Sequence, residues 1–87
     1  MQILEIKDIT RKELPIYYRR LYSGTAVIEL VNKHVELPLE FQIEHKPTGE
    51  MEINLTLSGQ IDYPLVPIQK ELKKHVETLD SGGKLPD

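Results

Sequence analysis

At 87 residues the chain has room for one domain, and 39% hydrophobic against 29% charged residues suits a folded core rather than a disordered chain. The net charge of −3 argues against a dedicated nucleic-acid binder, and the absence of cysteine excludes disulfides, cysteine zinc sites and thiol catalysis. A small domain without covalent staples points to a reducing compartment, the cytoplasm.

Charge is unevenly spread. Residues 1–20 hold five basic and three acidic residues, 21–65 two and seven, and 66–87 four and four. Met1 to Asp8 carry charge throughout and lack the apolar stretch of a signal peptide, and no apolar run approaches the length that spans a membrane.

Gln2 to Ile9 reads as a strand with Leu4 and Ile6 inward. Thr10-Arg11-Lys12-Glu13 resembles a capping box, yet Pro15 comes too late for a first helical position. Leu14, Tyr17, Tyr18 and Leu21 fit a helical face, while Ile16, Tyr17, Tyr18 and Tyr22 fit β propensity equally well. The expectation is an extended segment over residues 2–22 that from about Tyr18 runs on into the next strand.

Thr25 to Val31 is β-rich, and Asn32-Lys33 can turn because asparagine tolerates positive φ. That turn sets Leu30 opposite Val35, Ile28 opposite Leu37, Ala26 opposite Leu39, Gly24 opposite Phe41 and Glu29 opposite Glu36. From His34 to His45, Val35, Leu37, Leu39, Phe41 and Ile43 alternate with polar residues, the period of a strand with one buried and one wet face. Pro38 cannot donate to a ladder, so it needs an unpaired position, a bulge or an edge. Lys46-Pro47-Thr48-Gly49 is a turn, followed by a strand from Glu50 to Ser58 with Met51, Ile53, Leu55 and Leu57 inward. Pairing Phe41 with Ile53 puts Glu44 opposite Glu50.

In the C-terminal part the period changes. Ile68, Leu72, Val76 and Leu79 make the apolar stripe of an amphipathic helix over 66–80, with Pro67 in its first turn and Gly82-Gly83 as its cap. Residues 81–87 are expected to be a loose tail. The whole reads as one α+β domain: an antiparallel β-meander of three to four strands, spanning 22–58 with the N-terminal segment beside it, packed against one C-terminal α-helix. A helix of about fifteen residues spans roughly 22 Å, too little to roof strands of about 33 Å. The N-terminal segment or a second chain must cover the rest of the apolar face.

Two clusters are candidate contact sites. Glu36, Glu40, Glu44, Glu50 and Glu52 line the outer face; they read as a docking surface for a basic partner, a weak cation site near Glu44, His45 and Glu50, or a solvated face. Arg11, Lys12, Tyr17, Tyr18, Arg19 and Arg20 form a basic-aromatic cluster of the kind that stacks bases and neutralises phosphate, or whose arginines pair with the acidic sheet. His34, His45 and His75 have no partner at metal-ligand spacing, Ser23, Ser58 and Ser81 lack a nucleophile context, and Gly82-Gly83-Lys84 lacks the strand and spacing of a phosphate loop. No catalytic, cofactor or metal residue is assigned. Were residues 10–22 helical, the α-β-β-β-α order would match the double-stranded RNA-binding domain. That family's Gly-Pro-x-His loop and lysine-rich helix start are missing. The expected function is a non-catalytic protein-interaction or accessory module that associates with itself, with a small RNA- or DNA-binding module as the alternative.

Overall fold

A computed structural model describes all residues from 1 to 87. Four strands, β1 (Gln2–Lys12), β2 (Arg19–Leu30), β3 (Lys33–His45) and β4 (Met51–Leu57), precede one helix, α1 (Leu65–Ser81). The strands lie in sequence order in a single open antiparallel sheet. The N-terminal segment is therefore strand, and it joins the sheet as a fourth member instead of folding over the apolar face. No helix is long and apolar enough to cross a membrane.

Period-two patterning in β3 sends Leu37, Leu39, Phe41 and Ile43 to the inner face, where all are buried. From β2 come Tyr22, Ala26, Ile28 and Leu30, and from β4 Ile53. Ile68, Leu72 and Val76 of α1 close this core, which contains no charged side chain. The cover includes more than the helix: Ile61 and Tyr63 of the 58–64 connection and Leu85 of the tail pack on the core. The C-terminus of α1 closes with Gly83 at φ +66°, Gly83 N–H donating to Asp80 O at 3.1 Å and Lys84 N–H to Leu79 O at 2.9 Å. This is the paired-bond cap that needs a residue in left-handed conformation.

Three details differ from the sequence expectation. Both hairpin registers are shifted by two residues. Leu30 faces Lys33, Ile28 faces Val35, Gly24 faces Leu39 and Tyr22 faces Phe41, so Val31-Asn32 makes the turn. Asn32 has no positive φ there, so the property that favours Asn32-Lys33 goes unused. The observed register seats Tyr22 on Phe41, ring centroids 5.1 Å apart and planes 19° from parallel. At the next turn Gly49 N–H donates to Lys46 O at 2.9 Å and Gly49 takes φ +90°. Placing a residue in that conformation lengthens the loop, and Phe41 moves opposite Leu55, Ile43 opposite Ile53 and Glu44 opposite Glu52. A shift of two keeps every side chain on its face, so the core is unaffected.

Second, β1 is irregular. A register shift between Ile3 and Glu5 leaves Leu4 without an opposite number, so Ile3 and Ile6 take the inner positions and Leu4 is 38% exposed. Another, between Lys7 and Thr10, places Asp8 at φ 55°. It fits because Gly24 lies beneath it: a Cβ there would stand 3.0 Å from Lys7 O and 3.3 Å from Ile9 Cγ1.

Third, Pro38 lies in a central strand, neither at an edge nor in a bulge. Its carbonyl accepts Ser58 N–H at 2.9 Å, so its missing N–H faces the β4 side, where β4 has ended at Leu57.

Candidate interaction surface

The outer face of the sheet is a lattice of ion pairs. Alternation places Lys7 and Lys12 of β1, Ser23, Thr25 and Val27 of β2, and Glu36, Glu40 and Glu44 of β3 on this side. Short β2 side chains let the lysines reach over them. Lys7 Nζ meets Glu36 Oε1 at 2.7 Å and Lys12 Nζ meets Glu40 Oε1 at 2.7 Å. Arg19 Nε donates to Glu44 Oε1 at 2.9 Å and Lys46 Nζ to Glu52 Oε2 at 2.9 Å. The hydrogen bond to Glu36 holds the Lys7 ammonium above its usual range; that from Lys46 holds the Glu52 carboxyl below its own and raises Lys46 in turn.

Of the five expected docking carboxylates, only Glu50 therefore lacks a basic partner. Glu29 lies opposite His34, whose Nε2 is 3.1 Å from its Oε2, and not opposite Glu36. Glu44 does face another carboxylate, Glu52 rather than Glu50, and each is neutralised by its own cation. No three carboxylate or imidazole groups converge as a metal site would require.

The basic-aromatic residues divide. Lys12 and Arg19 serve the outer face. Arg20 projects to the inner side, where its guanidinium donates to Asp80 Oδ1 at 3.0 Å, the Tyr22 hydroxyl at 3.2 Å and His45 Nε2 at 3.1 Å. The Asp80 bond, first among the causes, raises the Arg20 guanidinium further above its usual value. Asp80 sits in the last turn of α1, where the helix dipole disfavours an anion, and Arg20 offsets this. The sequence gives no hint of this four-residue network, because its members are far apart in the chain. Tyr17 and Tyr18 meet edge-on at 6.1 Å, with Arg19 5.6 Å above the Tyr18 ring. Tyr17 is 96% exposed, and Arg11 has no acidic partner. Surface depressions are open and shallow; one holds Arg11, Lys12, Arg19 and Asp87.

The two sheet edges are unlike. The outer edge of β1 is interrupted twice and carries Glu5, Lys7, Asp8, Arg11 and Lys12. Bulges and charges are how native sheets blunt an edge. The edge of β4, Met51-Glu52-Ile53-Asn54-Leu55-Thr56-Leu57, is unbroken and free of proline and glycine. Its one charge, Glu52, is already bound by Lys46. No strand lies beyond it, and on its inner side Met51 is 47% exposed while Leu55 and Leu57 are half-buried. The signal for this edge was present in the sequence: seven residues of high β propensity with one charge.

A family model matches residues 1–81, from the first strand to the last residue of the helix. The chain belongs to the Bb0187 family. The boundary of the family match coincides with the end of α1, so the family is defined by this complete sheet-and-helix unit. No curated protein and no solved structure matches the chain.

Proposed function

We propose that this chain is a non-catalytic protein-interaction module that associates with itself. The contrast between its edges supports the reading: β1 is guarded by bulges and charge, while β4 is regular, nearly uncharged and backed by half-covered apolar side chains. The cysteine-free sequence of so small a domain supports a cytoplasmic setting. Sedimentation equilibrium from low micromolar to submillimolar protein tests the association. A mass that rises from monomer to dimer agrees with it, and a monomer throughout refutes it.

A second reading, a small RNA- or DNA-binding module, draws on the exposed Tyr17 ring and the unpaired Arg11. It is the weaker of the two, since Lys12, Arg19 and Arg20 are each spent on a carboxylate. A gel shift at low salt that vanishes in Y17A/R11A supports it; no retardation at micromolar protein refutes it.

A further inference from the structure

We infer that the partner of β4 is β4 of a second copy, paired antiparallel about a twofold axis through Asn54, so that two four-stranded sheets become one of eight strands. This rests on the self-association proposed above and names its contact.

Backbone direction sets which residues can pair. Lys46 N–H donates to Glu50 O at 2.8 Å before β4, and Ser58 N–H to Pro38 O at 2.9 Å after it. Between them the hydrogen-bonded partners of an antiparallel ladder recur at every second residue, so Glu52, Asn54 and Thr56 bond to β3. The N–H and C=O groups of Met51, Ile53, Leu55 and Leu57 therefore point away from β3, towards the open edge. Their side chains point to the inner face. A second strand that bonds to this edge through its own odd residues keeps inner face beside inner face.

Within that rule, few symmetric registers are open. An axis at Glu52 puts carboxylate against carboxylate. An axis at Ile53 or Leu55 leaves the far end of the strand unpaired. Only the axis at Asn54 engages all seven residues. Met51 then lies opposite Leu57 of the second copy and Ile53 opposite Leu55, while Glu52 faces Thr56 and Asn54 faces Asn54. The half-covered apolar residues cover one another, and no like charges meet. Both helices stand on the same side of the joined sheet. The guarded β1 edges become its two outer margins, so assembly stops at two.

The chain has no cysteine, so introduced ones report a single contact. Asn54 and its twin form a pair without backbone bonds, with Cα atoms about 4.5 Å apart, inside the range a disulfide spans. Under mild oxidation N54C is expected to give a covalent dimer. E52C and T56C alone are expected to cross-link at least about tenfold more slowly, and the double variant E52C/T56C to cross-link readily, because those side chains face each other across copies. M51K places a charge opposite Leu57 and is expected to weaken association by about tenfold or more with an unchanged circular dichroism spectrum. If the protein associates but N54C fails to cross-link and M51K is neutral, the β4 contact is wrong while self-association stands. If the unmodified protein is monomeric at every concentration, self-association itself fails and this contact with it.

Discussion

The stacked pair Tyr22–Phe41 allows the β2–β3 register to be measured in solution. Each ring is 1% exposed, and the two face each other across the strands with centroids 5.1 Å apart. Replacing either by leucine removes ring volume from a closed core, at a cost of about 1–2 kcal/mol each. Y22L also deletes the hydroxyl that accepts from Arg20, about 1 kcal/mol more. A chain of 87 residues has roughly 4–13 kcal/mol of stability in total, so the single variants fold. The informative quantity is the coupling. Aromatic pairs contribute about 0.5–1.5 kcal/mol beyond the area they bury, and this is lost once either ring is gone. Urea unfolding of the parent, Y22L, F41L and Y22L/F41L, followed by far-ultraviolet circular dichroism, should therefore give a double variant less destabilised than the sum of the singles by that amount. A coupling below about 0.3 kcal/mol would refute the stack. It would fit the alternative register, in which Phe41 lies over Gly24 and the rings have no common neighbour.

R20A should destabilise the fold by about 1–3 kcal/mol, since it removes a charged hydrogen bond and leaves Asp80, only 16% exposed at its side chain, unpaired in the last helical turn; the double variant R20A/D80N should recover part of the loss, and urea midpoints that fall further instead would contradict it. G24A should cost about 1 kcal/mol and G24V more, because the new Cβ meets the Lys7 carbonyl oxygen, which the β1 bulge holds in place; an unchanged or higher melting temperature would show that the bulge yields. The Glu52–Lys46 bond lowers the folded-state value of the Glu52 carboxyl from 4.5, so its contribution is complete above that value and is lost as pH falls through the lower folded one. Acid titration of stability should be shallower in E52Q than in the parent, and parallel curves would count against the bond.

The strands of residues 19–57 and the helix were legible because their signal is periodic: alternation in β2 to β4, then Ile68, Leu72 and Val76 at helical spacing. Periodicity alone cannot distinguish registers that differ by two, since both keep the same face inward. The turn decides, and neither Val31-Asn32 nor the positive φ of Gly49 follows from a count of apolar residues. Strand β1 was harder, because its shifts at Leu4 and Asp8 break the alternation. On the outer face the acidic residues were legible, but their partners were not. Lys7 and Lys12 reach Glu36 and Glu40 only because β2 brings small side chains between them, a fact of lateral order that no local pattern holds.

Helix α1 makes its close approaches to β1 and β4, the two outermost strands, rather than to the pair between them. It spans the sheet like a crossbar. The curl of the sheet and the seating of the helix are thus a single mechanical variable: flattening the β layer lifts the bar, and a load on the bar is felt at both margins together.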